Sequence, residues 1–110
     1  MSDHDTLSRL AVVIHAKRGD SAEKSYTRQL LDAGPERCAK KFGEEAVETV
    51  LAALDPDPAH LKAEAADALY HLLVLLEARG VAFADVLAVL EARMGTSGLA
   101  EKASRPRGTP

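Results

Sequence analysis

Four carboxylates fall into two matched pairs, Glu45-x-x-Glu48 and Glu64-x-x-Asp67, separated by 15 residues. At ~3.6 residues per turn, the members of each pair stand one helical turn apart on a common face. Two such helices packed as an antiparallel hairpin bring the pairs together. Carboxylates at close range repel one another unless a cation sits among them. An all-oxygen donor set suits a hard divalent ion, Mg²⁺ or alternatively Mn²⁺. Zinc fits less well, because no Cys/His cluster accompanies the acids. A di-iron centre would need Glu-x-x-His pairs, and none occurs in the chain. Glu44, Glu45 and Glu48 alone would read as a charged helix exterior, with Lys41 to Glu45 an i,i+4 pair; the second acidic pair is what changes that reading.

Mg²⁺ typically bridges carboxylates to substrate phosphates. Arg28, Arg37, Lys40 and Lys41 precede the acids and are candidates for the complementary phosphate contacts. Cation plus basic side chains would neutralise a polyphosphate and stabilise charge developing during its hydrolysis. The residues therefore suggest a Mg²⁺-dependent polyphosphate hydrolase. No Gly-rich phosphate loop is present, which excludes a P-loop NTPase.

The second pair sits in LKAEAADALYHLLVLLEAR, Leu61 to Arg79, long enough for about five helical turns. Leu61, Ala65, Leu69, Leu72 and Leu76 share one face, and Leu73, Val74 and Leu75 spread apolar surface around the rest. Such a helix is expected to be buried and central, yet Glu64, Asp67 and His71 share a narrow strip of it. Pro35 to Leu54 forms the other long helix, with an apolar face through Ala39, Phe42, Ala46, Val50, Ala53 and Leu54. Asp55-Pro56-Asp57-Pro58 separates the two, Asp57 as cap and Pro58 as the opening residue.

Upstream, Thr6 to Lys17 carries Leu7, Leu10, Ala11 and Ile14 at amphipathic spacing and ends in Lys17-Arg18-Gly19-Asp20, with Gly19 expected just past the helix end. A helix from about Ser25 to Asp32 stops at Gly34-Pro35. Gly80 closes the central helix, and a last one runs from about Phe83 to Met94. No segment alternates with period two and aromatics make up only 4% of the chain. The fold class is all-α: a four-to-five-helix bundle completed by homodimerisation, because the central helix has more apolar surface than one small chain easily covers.

A chain of 110 residues makes one domain, expected over 1–95, with 96–110 a mobile tail rich in Gly, Ser, Pro and charge. The net charge of −3 gives no reason to expect nucleic-acid binding, and Arg105-Pro106-Arg107 is too small a basic cluster to change that. No apolar run approaches the ~20 residues of a membrane span. The polar N-terminus is unlike a secretory signal, and the single cysteine, Cys38, gives no internal disulfide; the expected location is the cytoplasm.

Longer stretches carry a resemblance. Ser25-Tyr26-Thr27, Leu30-Leu31, Gly34-Pro35-Glu36-Arg37, then KKFGEEAVE (40–48), EAADALYHLLVLL (64–76) and SGLAEKASR (97–105) resemble the phosphoribosyl-ATP pyrophosphatase family of histidine biosynthesis. Its wider relatives are the all-α nucleotide pyrophosphatases, including dimeric dUTPases and house-cleaning NTP pyrophosphatases, which share Glu-x-x-Glu, a spacer and Glu-x-x-Asp. The resemblance covers about Leu7 to Arg105. It implies hydrolysis of phosphoribosyl-ATP at the α–β phosphate linkage, releasing pyrophosphate and phosphoribosyl-AMP, by a homodimer. Some family members are fused to the cyclohydrolase of the next step. This chain is too short for that and is expected to be the stand-alone pyrophosphatase.

By this resemblance Glu45, Glu48, Glu64 and Asp67 are the Mg²⁺ ligands, with Glu45 and Glu48 also in the catalytic group. Glu44 joins that group as an extra ligand, an outer contact or the water-activating base; an exposed surface acid is the equal alternative. Lys41 is the leading phosphate contact, with Lys40, Arg37 and Arg28 behind it, each balanced against a plain solvated charge. His71 either touches substrate or pairs within its own helix. Tyr26 reads as core, with packing on the adenine or ribose as the alternative. Cys38 reads as a small buried hydrophobe, and Gly43 inside a helix hints at a close approach by backbone or ligand. Two other readings remain: a nucleotide pyrophosphatase with another substrate, and a non-enzymatic helical assembly module.

Overall fold

The computed structural model describes residues 6–94. The expected tail, 96–110, and the SGLAEKASR stretch lie outside them, as does the end of the expected domain. Five α-helices follow one another: α1 (Thr6–Ala16), α2 (Tyr26–Ala33), α3 (Pro35–Ala52), α4 (Pro58–Ala78) and α5 (Phe83–Met94), with a 3-10 turn, Lys17–Gly19, after α1. Among the described residues there is no strand, so the all-α expectation holds.

The helix boundaries follow from local chemistry. Ser25 caps α2, its hydroxyl accepting from Arg28 N–H at 3.1 Å. Gly34, at φ 97°, ends α2 and admits Pro35 at the start of α3. Asp57 caps α4, its carboxylate accepting from Ala59 N–H at 3.0 Å, and Pro58 opens the helix. At the far end Gly80 adopts φ 70°. Its N–H donates to Glu77 O at 3.1 Å, and Val81 N–H donates to Leu76 O at 2.9 Å, the Schellman pattern that satisfies two orphan carbonyls. Gly19 does not do the same for α1: it lies in the 3-10 turn, and only Gly34 and Gly80 among the described residues have positive φ.

α3 and α4 form the antiparallel hairpin that the short Ala53–Asp57 link requires, and α1 and α2 pack across α4. The core collects Ile14, Leu30, Cys38, Leu73 and Val74, with Leu7, Leu10, Leu31, Tyr70, Leu75, Leu76 and Phe83 packed around them. It lies at the C-terminal half of α4; toward the N-terminal half Leu61 and Leu69 are exposed, apolar surface of the central helix that one chain leaves uncovered. The reason is coverage. α1 and α2 meet α4 where the core lies, whereas its N-terminal half relies on α3.

The apolar face expected for α3 is corrected. Val50, Ala53 and Leu54 point outward, Leu54 being 81% exposed. The buried and half-buried residues of α3 are Cys38, Lys41, Phe42, Glu45, Ala46, Thr49 and Ala52. The hairpin end of α3 and α4 thus leaves Val47, Val50, Leu51, Leu54, Leu61 and Leu69 facing outward.

The opposite end is clamped by charge. Arg18, just after α1, bonds through Nε to the Glu77 carboxylate and through Nη2 to Glu77 O at 2.7 Å. His15 Nδ1 stands 3.1 Å from both Glu77 carboxylate oxygens. Partial burial would raise the Glu77 pKa, but the hydrogen bonds and charges of Arg18 and His15 outweigh it and hold the carboxyl below its usual range.

Candidate active site

The hairpin brings together acids from both sequence pairs. One carboxylate oxygen each from Glu45, Glu64 and Asp67 lies within 4.8 Å of the others. Glu45 comes from α3 and is half-buried; Glu64 and Asp67 come from successive turns of α4. Glu48 is exposed and stands outside this tight trio, yet its charge is felt at Glu64. The Glu64 carboxyl is pushed up by desolvation first, then by the negative charges of Asp67, Glu45 and Glu48. Desolvation and the neighbouring acids thus act in the same direction on this carboxyl.

The donor set therefore fits a hard cation: three carboxylates from two rigid helices, with oxygen atoms close enough to share one ion. Position explains the geometry. Glu45 is one of the few polar side chains on the inward face of α3, and the i,i+3 spacing of Glu64 and Asp67 turns both toward it.

Basic residues border the trio unequally. Lys41, one turn before Glu45, puts Nζ 3.8 Å from a Glu44 oxygen and 3.9 Å from a Glu45 oxygen, with 22% of its side chain exposed. Glu44 is exposed at the rim. Arg37 and Lys40 lie on exposed positions of the same helix. Arg28 is engaged elsewhere: Nε donates to Asp32 at 2.8 Å, and Nη1 donates to Arg18 O and, at 3.1 Å, to Asp20 O. Its guanidinium braces the turn after α1.

His71, one turn after Asp67, is 7% exposed. Its Nδ1 lies 2.9 Å from Asp67 O, an acceptor, so Nδ1–H donates and fixes the tautomer. Nε2 is buried with no hydrogen-bond partner among the described residues. The ring stands edge-on to Tyr70, with centroids 4.9 Å apart, and to Tyr26 at 6.2 Å. Tyr26, expected in the core, is half exposed; Thr27 is the buried residue, bonded to the Tyr70 hydroxyl. The register of α2 turns position 27 inward. Cys38 is buried as expected, its thiol donating to Leu30 O at 3.2 Å, and burial raises its pKa. A Cβ on Gly43 would meet nothing within 4 Å, so among the described residues no close approach is made to it from outside its own helix.

One residue beside the acids escaped the sequence reading. Thr49 Oγ1 lies 2.8 Å from Glu45 O in its own helix and 3.1 Å from Glu64 O across the hairpin. The available signal was a hydroxyl one turn beyond Glu45, inside a helix, where Ser and Thr often bond back to the preceding turn.

Comparison with known proteins supplies the lineage. The family model described as phosphoribosyl-ATP pyrophosphohydrolase matches residues 7–94, which includes every acid discussed above. The phosphoribosyl-ATP pyrophosphatase of Cereibacter sphaeroides is 59% identical over 99 residues, covering 90% of this chain and 96% of that protein. Phosphoribosyl-ATP pyrophosphatase 1 of Bradyrhizobium diazoefficiens is 60% identical over 100 residues, 91% of this chain and 94% of the relative. That of Rhodobacter capsulatus is 57% identical over 99 residues, with 90% and 96% covered. With the family model matched across nearly all of the described chain and relatives this similar along almost their whole length, the chain belongs to the phosphoribosyl-ATP pyrophosphohydrolase family.

Proposed function

We propose that the protein hydrolyses phosphoribosyl-ATP to phosphoribosyl-AMP and pyrophosphate, the second step of histidine biosynthesis, in the cytoplasm. The observation that carries this reading is the convergence of Glu45, Glu64 and Asp67 inside the region matched by the family model. Glu45, Glu64 and Asp67 would hold Mg²⁺, or Mn²⁺ in its place, with Glu48 at the edge of the set. When bound, the cation supplies positive charge against the phosphate oxygens at the linkage that breaks. Lys41 adds a second positive charge beside the trio and contacts the polyphosphate. Glu44, exposed at the rim next to Lys41, accepts a proton from the attacking water. Arg37 and Lys40 extend the basic surface toward the outer phosphates. His71 holds the Asp67 turn in place and borders the substrate.

A homodimer belongs to the same reading. The outward row at the hairpin end, Val47, Val50, Leu51, Leu54, Leu61 and Leu69, supports it, because a second subunit would remove that apolar surface from water.

The deciding experiment compares pyrophosphate release from phosphoribosyl-ATP, dUTP and ATP, with Mg²⁺ and after chelation. Release from phosphoribosyl-ATP alone, abolished by chelation, is expected. Preference for dUTP or ATP would overturn the substrate assignment, and release unaffected by chelation would overturn the metal.

A further inference from the structure

Glu45 and Glu64 belong to different helices, so their convergence depends on the axial register of α3 against α4. Much of the half-buried and buried surface here is alanine: Ala46 and Ala52 on α3, Ala65 and Ala68 on α4. Apolar burial is non-directional and discriminates weakly between neighbouring registers of such small residues. A slip of one residue moves a side chain about 1.5 Å along the axis. Octahedral Mg²⁺, with ligands at about 2.0–2.1 Å, does not tolerate that displacement.

Thr49 supplies a directional contact at the required level. Its hydroxyl carries one proton, shared between Glu45 O at 2.8 Å and Glu64 O at 3.1 Å. A threonine inside a helix needs only the first of these acceptors. The second, an interior carbonyl of α4, already has an intrahelical donor available. The cross-helix contact is therefore surplus to backbone satisfaction, and it joins the backbones of the two residues whose carboxylates must meet.

We propose that Thr49 is a positioning residue, whose hydroxyl sets the α3–α4 register so that Glu45, Glu64 and Asp67 converge on one divalent cation. This rests on the reading of that trio as the cation site. Thr49 touches neither cation nor substrate; it acts through the two glutamate carbonyls.

The test is Mn²⁺ titration of the full chain followed by electron paramagnetic resonance, on wild type, Thr49→Val and Thr49→Ser. Valine keeps the shape and removes the hydroxyl; serine keeps the hydroxyl and removes the methyl. Thr49→Val is expected to weaken Mn²⁺ binding about tenfold, with Thr49→Ser within about twofold of wild type. Turnover of Thr49→Val should recover as Mn²⁺ is raised, so the defect lies in the metal requirement. If Thr49→Val loses its helical circular dichroism, Thr49→Ala replaces it as the hydroxyl-free arm. Wild-type Mn²⁺ affinity in the hydroxyl-free variant overturns the proposal. Equal weakening in Thr49→Ser also overturns it, because the lost methyl packing would then be the cause. Absence of Mn²⁺ binding by the wild type would instead overturn the cation site itself.

Discussion

Glu45 and Glu64 approach one another from opposite arms of the α3–α4 hairpin, bringing carboxylate oxygens within 4.8 Å. Desolvation first, and then the negative charges of Asp67, Glu45 and Glu48, raise the Glu64 pKa. A group whose folded pKa is raised contributes stability below its unfolded value, here 4.5, and loses it as pH rises through the folded value. Glu64→Gln should therefore stabilise the metal-free protein at neutral pH, with the advantage vanishing below pH 4.5. Mg²⁺ should reverse the order, because only the wild type gains stability from binding. Thermal unfolding with and without Mg²⁺ checks both, and a metal-free variant less stable than wild type at pH 7 would contradict the repulsion argument. Activity should fall by about 100-fold or more.

Lys41 is held near the trio by Glu44 and Glu45 at 3.8 and 3.9 Å. Those separations are long for committed hydrogen bonds, so the ammonium can turn toward a phosphate. Lys41→Gln should lower kcat/KM by about 10- to 100-fold, the loss of one charge aimed at the transferring group. Arg28→Gln, which breaks contacts to Asp32 and to the turn after α1, should mainly reduce stability. Steady-state kinetics beside thermal melts separates the two. A larger kinetic loss in Arg28→Gln than in Lys41→Gln would reverse these roles.

What could be read without coordinates was whatever depended on local chemistry. Asp57-Pro58, Ser25, Gly34-Pro35 and Gly80 each act within one turn of themselves, and all four mark helix ends as expected. That acids of the two pairs come together was legible because i,i+3 spacing within a helix and a short hairpin leave few arrangements; that Glu48 stands outside the tight trio of Glu45, Glu64 and Asp67 was not. Helix facing was less so. α3 carries apolar residues on two sides, and the inward side also holds Glu45 and Thr49, so hydrophobic position alone selected Val50 and Leu54 wrongly. Arg18–Glu77 and Thr49–Glu64 join residues 59 and 15 positions apart. Neither pairing leaves a trace in spacing, because both depend on how helices pack.

The Arg18–Glu77 clamp carries an acid signature opposite to that of Glu64. The Glu77 pKa is lowered, so its contribution is present above 4.5 and is lost as pH falls through the folded value. Glu77→Gln should cost about 1 kcal/mol near neutrality, since the partners are well exposed and solvent weakens the pair. The difference from wild type should shrink as the solution is acidified below pH 4.5. Urea denaturation at pH 7 and pH 3.5 measures it, and a constant difference would mean that the carboxylate charge contributes nothing.

Gly80 tests the backbone alone. Its φ of 70° lies in the left-handed region, and a Cβ there would meet nothing among the described residues within 4 Å. Gly80→Ala should therefore destabilise by about 1–2 kcal/mol through backbone strain without any clash. Asn tolerates this region better than other non-glycine residues, so Gly80→Asn should recover part of the loss. For a domain of this size each kcal/mol shifts the melting point by about 4–8 °C. Glu64 and Asp67 lie turns away on α4 and Glu45 lies on α3, so Mn²⁺ affinity should be unchanged in both variants. Equal melting points for alanine and asparagine would show that the Schellman turn gives way rather than holding its left-handed residue.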